Sequence, residues 1–397
     1  MLVAATASMA YGVWLGLLRV GWALPLPWSD QLILHGPLMI GGFLGTLIGL
    51  ERAVGLARPW AYLAPVCTAA GAIVLVFGPA STSAGALLIT LGSCFALLVF
   101  LVVLRQQFSL FALTMLGGAA CWVVGNAGWS AGASIYRIVF WWIAFVILTI
   151  GGERLELNRL RRPSSGVRAT FVGSVIILTV GVVTLECGRS GGATLTGIGL
   201  LALALWLSVH DVARRTVRQR GVTRFMAICL LTGYAWLAVA GGLLLVTTVI
   251  VPGTVYDAVL HTIFVGFVLS MIFGHAPIVV PAVLGAVLEY RPFAYVPVVV
   301  LHLSVAMRII GDLVDAFGRL RVWGALGNAL AIVLFMTATV ISISIGPRRA
   351  VHLRTWRRNR TSASLDSSGI HRQSSSTGRL NPDPTGRTRS QGYNDDD

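Results

Sequence analysis

LILHGPLMIGGFLGTLIGLER, residues 32–52, is the stretch whose reading decides the fold of this chain. His35 stands near its start, Glu51-Arg52 closes it, and nothing between them is charged. About 20 apolar residues are enough to cross a bilayer as one helix. A histidine inside such a segment is costly unless it faces a partner or a cavity. The stretch therefore poses two questions at once: what surrounds it, and what His35 does there.

Eleven further stretches resemble it in length and hydropathy. The twelve lie at about 3–24, 32–52, 60–79, 84–104, 108–128, 136–156, 168–187, 193–210, 225–250, 257–284, 293–314 and 322–345. The chain is 56% hydrophobic and 11% charged, against about 25% charged in soluble domains. Mean hydropathy is +0.81. These values predict an all-α polytopic membrane protein. Its twelve-helix transmembrane domain covers residues 1–345. Residues 346–397, rich in Ser, Arg, Gly and Asp, have too few apolar side chains for a core. They are expected to be a disordered basic cytoplasmic tail, with the run RTWRRNR (354–360) resting on lipid headgroups.

The net charge of +15 comes wholly from arginine, because the chain has no lysine. Those arginines gather in loops and tail, so no basic soluble domain exists to bind nucleic acid. After span 6 come Arg154, Arg159, Arg161, Arg162 and Arg168; after span 8 come Arg214, Arg215, Arg218, Arg220 and Arg224. The loops after spans 3 and 9 have none. Positive loops stay inside, which predicts a plasma-membrane protein with both termini cytoplasmic. Arg319 and Arg321, after span 11, break the pattern. Five scattered cysteines form no CxxC pair, which leaves out a zinc knuckle or a covalent CxxCH haem site.

Three spans resemble one another: HGPLMIGGFLGTLIGLER (35–52), RIVFWWIAFVILTIGGER (137–154) and HTIFVGFVLSMIFGHAPI (261–278). The first two end on Gly-X-Glu-Arg, and the third shares Gly-Phe and then places His275 after a glycine. These are spans 2, 6 and 10, so the suggested period is four helices, a pseudo-threefold plan. Chance likeness between apolar helices is the competing explanation.

Four histidines lie inside spans: His35, His261, His275 and His302. His35 follows Asp30 by five residues, and His261 follows Asp257 by four. At 1.5 Å per residue both sit roughly 6–8 Å below the outer boundary. Two imidazoles at one depth on different helices suit the opposite axial positions of a haem. The competing reading is a hydrogen-bonded histidine between packed helices. His275 lies about 21 Å further along span 10 than His261, and it is depth-matched with His302. That second pair suits another haem, a copper ion or a proton route, or simply two satisfied polar residues. Arg19, Arg137 and Arg308 lie in the outer thirds of their spans, where they suit haem propionates or snorkel to headgroups. Glu51-Arg52 and Glu153-Arg154 close helices at the cytoplasmic side, where arginine complements the helix dipole. The two glutamates are also candidates, with Glu156 and His275, for an inner polar cluster where protons enter.

The span plan, the repeat and the histidines near the outer ends of spans 2 and 10 resemble subunit I of the haem-copper oxidases. That resemblance implies that His35 and His261 are axial ligands of a haem b. The copper ligands of that superfamily lie on spans 6 and 7, which hold no histidine here. The chain is also similar to the NnrS family of haem- and copper-associated membrane proteins. Its pattern of His, Met and Gly-Phe is echoed by His35, Met39 and Gly42-Phe43, although Leu38 replaces the glutamate that precedes the methionine. This likeness implies a nitric oxide response or electron transfer, with copper as a further metal and a redox protein or diatomic gas as partner. The alternative from another class is a cofactor-free proton-coupled transporter that uses the same buried histidines and glutamates.

Overall fold

The computed structural model describes residues 1–26, 29–78, 81–159, 163–247, 251–286 and 288–369, with side chains as far as 344. Among these residues there is no strand, and twelve helices are long and apolar enough to cross a membrane. They are α1 (Leu2–Arg19), α2 (Asp30–Leu56), α3 (Pro59–Val76), α4 (Thr82–Gln106), α5 (Leu110–Ser130) and α6 (Ile135–Asn158). The second half is α7 (Ser165–Glu186), α8 (Gly192–His210), α9 (Val222–Val246), α10 (Thr254–Leu284), α11 (Pro292–Leu313) and α12 (Asp315–Ser344). The all-α polytopic expectation holds, helix by helix.

Local chemistry sets many of the ends. Ser109 and Ser164 cap α5 and α7 by accepting from the backbone N–H groups of Ala112 and Val167. Pro59 and Pro292 open α3 and α11, where a missing N–H costs nothing. Gly285 ends α10 at φ 63°, in the left-handed region that glycine enters freely. Helices adjacent in sequence mostly pack side by side, as short connections require. Where α8 crosses α9, Gly197 and Gly241 meet: a Cβ on either would lie 2.8 Å from the other's carbonyl oxygen. In lipid, where apolar burial cannot drive helices together, such close backbone approach is what holds them.

α6 is the most enclosed of the twelve helices. Its Phe145 stacks on Trp122 of α5 at 4.5 Å, and its Trp142 donates to Asn126 of α5 at 2.9 Å. α2 and α10 are not regular throughout. Leu38–Leu44 and Thr262–Leu269 are wide π-turns, and each begins within three residues after a histidine, His35 or His261. The π form is rare and favours functional sites.

Residues 345–397 form a separate unit. Their backbone is helical as far as Gly369, through the first half of the stretch expected to be disordered. No glycine or proline interrupts residues 348–368, and arginine is a good helix former. Residues 370–397, His371 among them, lie outside the described residues, as do Arg161 and Arg162.

Candidate functional site

His35 enters at the second turn of α2 and His261 at the second turn of α10. Their rings stand 6.2 Å apart between centres, with planes 12° from parallel. Each is held by one nitrogen. Nδ1–H of His35 donates to the Gly12 carbonyl of α1 at 2.7 Å, and Nδ1–H of His261 donates to the Asp257 carbonyl at 2.8 Å. A carbonyl can only accept, so the proton of each neutral ring sits on Nδ1 and Nε2 keeps its lone pair. Among the described residues neither Nε2 has a hydrogen-bond partner. This is the arrangement of a metal-ligating histidine, oriented by its second nitrogen.

The spacing can be compared with a ligand pair. Metal–imidazole bonds are about 2.0–2.1 Å and each ring centre lies about 1 Å beyond its nitrogen, which places two opposite imidazoles roughly 6 Å apart. The observed separation of ring centres matches that spacing. The closeness of α1 matters too. A Cβ on Gly16 would lie 2.8 Å from Cε1 of His35, so only glycine leaves room for that ring.

Both histidines line a cavity of about 350 Å³, within the range of cofactor sites. α1, α2, α6, α10 and α12 supply most of its wall. On α12 the lining residues Arg321, Ala325, Asn328, Ala329 and Ile332 fall on one helical face. Tyr136 of α6 and Tyr256 of α10 stand together in the wall, 5.6 Å between ring centres. Arg19, Arg308 and Arg321 also line it.

Of the residues singled out from sequence, the structure brings His35, His261, Arg19 and Arg308 to one cavity. It does not bring Arg137 there: that guanidinium is 60% exposed and pairs with Glu186 at 3.0 Å. Nor are His275 and His302 a second ligand pair. Nε2 of His275 lies 3.0 Å from a guanidinium nitrogen of Arg154, which can only donate, while its Nδ1–H goes to the Met271 carbonyl at 2.6 Å. Both nitrogens are spent. His302 accepts at Nδ1 from the indole of Trp236 at 2.9 Å, so its remaining proton is on Nε2, which is buried without a partner. Among the described residues no group of three or more His, Cys, Asp or Glu could hold a metal ion.

Of the expected inner cluster, Glu51, Glu153 and His275 lie in two sets of polar contacts at the other end of α2, α6 and α10, and Glu156 joins neither among the contacts of the described residues. Arg52 bridges Glu51, at 3.0 Å, and Glu153. Arg154 joins Asp211 at 2.8 Å to His275. Asp211 was not singled out by the sequence, although it directly follows His210 at the end of α8 and accepts from the Ala213 N–H at 2.6 Å. Asp257 and Arg321 were missed as site residues. The first had a signal, since it precedes His261 by four residues and so shares its helical face. The carbonyl of Gly12 had none.

Fold and site together define a twelve-helix membrane protein with paired imidazoles on a shared cavity. The chain belongs to a family described as a domain of unknown function, DUF8744, whose model matches residues 1–344. No curated protein and no solved structure matches it.

Proposed function

We propose that this protein binds one haem b between His35 and His261 and passes single electrons through it. The observation that carries the reading is the imidazole pair: two rings 6.2 Å apart, 12° from parallel, each anchored by Nδ1 with Nε2 free. A haem held this way supplies a one-electron couple. His35 and His261 would hold the group from two sides, which favours electron transfer over holding a diatomic gas. The absence of CxxCH favours a non-covalent b-type group. Arg19 supplies positive charge at the cavity wall for a propionate. The likeness to the NnrS family and to haem-copper oxidase subunit I supports the same assignment, while copper at His275 and His302 is not part of it. The loop arginines support a plasma-membrane location with both termini cytoplasmic, which turns the histidine end outward. A redox protein on that side is then the partner.

The second reading, proton-coupled transport without a cofactor, draws on Arg52 between Glu51 and Glu153, which joins α2 to α6, and on Arg154 between Asp211 and His275. One experiment separates the two. Protein purified in detergent from haem-replete cells should give a sharp reduced-minus-oxidised α-band and one pyridine haemochrome equivalent. His35→Ala and His261→Ala should each abolish both. A colourless wild-type protein overturns the haem reading and leaves proton flux in vesicles as the assay to run.

A further inference from the structure

Beside the cavity a run of alternating charges crosses three helices. Arg321 of α12 stands 3.8 Å from Asp312 of α11, and Asp312 stands 3.8 Å from Arg308 one turn back on the same helix. Arg308 then donates to Asp257 of α10 at 2.5 Å. The other carboxylate oxygen of Asp257 lies 3.5 Å from Nδ1 of His261. Arg308 and Asp312 are almost wholly buried. The two arginines and two aspartates cancel in charge, so Arg308 is not a spare cation. Arg19, which also lines the cavity, makes no ion pair among the described residues.

The run is tight at one end and slack at the other. Arg308 touches Asp257 at hydrogen-bond distance, but both oxygens of Asp312 and the Nε atoms of Arg308 and Arg321 are buried without hydrogen bonds. The strong contact is thus the one nearest His261. His35 has no counterpart, since its Nδ1–H meets only the neutral Gly12 carbonyl. The two axial histidines of the proposed site are therefore unequal.

We infer that the Asp257–Arg308 pair is a tuning device for the His261 ligand, and that Arg308 does not serve as a propionate clamp. The inference rests on the haem reading above. Negative charge near Nδ1–H makes an imidazole a stronger donor to its metal, and in a buried site that influence is poorly screened. A stronger donor favours the oxidised iron and lowers the reduction potential. Arg308 holds the carboxylate and offsets part of its charge, so the two residues act in opposite directions.

The test is a redox titration of the haem-loaded full chain in detergent. Asp257→Asn should raise the potential and Arg308→Gln should lower it, each by about tenfold in the reduction equilibrium, or 59 mV for one electron. The double variant, which removes both charges together, should return near the wild-type value. Asp312→Asn, one step further away, should move it upward by less. If Arg308→Gln does not fold, the single Asp257→Asn and the double variant still decide the matter. Equal signs for the two single variants, or no shift with full haem content, overturn the inference and leave the haem reading standing. Loss of haem from a folded Arg308→Gln protein also overturns it, by making Arg308 a propionate residue. A colourless wild-type protein sinks the haem reading itself.

Discussion

The same three helices, α2, α6 and α10, meet at both ends of the bundle and do opposite things there. At the glutamate end the charged groups pair with one another: Arg52 lies between Glu51 and Glu153, and Arg154 between Asp211 and His275. At the histidine end two imidazoles each use one nitrogen and line a cavity. Histidines occur at both ends, so residue type does not separate them. What separates them is which group takes the second nitrogen. Arg154 closes His275 off, whereas among the described residues nothing closes off Nε2 of His35 or His261. Polar groups in a membrane interior are costly, and the cost is met either by locking them to one another or by reserving them for something bound.

The widest separation between the two ends should come from His35 and His261, the proposed haem ligands. His35→Ala or His261→Ala should remove essentially all haem, while His275→Ala should keep the full α-band. Loss of colour in His275→Ala at normal protein yield would break the comparison. Next comes the lock itself. Arg154 and Asp211 are 5% and 1% exposed, and stranding one partner of a buried ion pair costs about 3–5 kcal/mol. Arg154→Ala should therefore lower thermal stability in detergent strongly, as read from a melting curve, and its effect on the absorption spectrum should follow from lost protein alone.

A smaller effect is expected at Gly16. The Cβ of Gly16→Ala would meet the His35 ring at 2.8 Å, pushing one of the two proposed ligands aside. Haem content should fall several-fold, or the ligand-sensitive spectrum should change, with little loss of fold. An unchanged spectrum would mean that His35 does not need its observed position. The smallest effect is expected at Arg137. Its exposed pair with Glu186 belongs to the class worth about 0–1 kcal/mol, so Arg137→Ala should leave haem content and melting temperature near wild type.

The sequence stated the depth of His35 and His261 through their distance from Asp30 and Asp257, and that depth match survives as a ring pair. It stated the Glu51-Arg52 and Glu153-Arg154 pairs; the first forms, whereas Glu153 goes to Arg52 and Arg154 to Asp211. It treated Arg19, Arg137 and Arg308 as equivalents, because all three lie at similar depth. Depth is one coordinate, however, and rotation about the bundle is another. Arg137 points to Glu186, Arg308 to Asp257, and only Arg19 remains on the cavity wall unpaired among the described residues. In the same way, equal depth paired His275 with His302, and rotation put them with Arg154 and Trp236 instead.

By itself, then, the sequence determined the membrane class, the twelve spans, and the residues that had to be buried with a polar group to satisfy. Those follow from local quantities: hydropathy over about 20 residues, and a rise of 1.5 Å per residue. Nδ1 of His261 and of His275 bonds a carbonyl one turn back on its own helix; only the tertiary structure decided how His35 is anchored and which second nitrogen is closed off. That depends on a carbonyl such as Gly12, on a glycine such as Gly16 that lets α1 approach, and on a guanidinium such as Arg154 arriving from another helix. None of these is within a few residues of the histidine it governs. Helix packing brings them together, and neither hydropathy nor helical periodicity along one span records it.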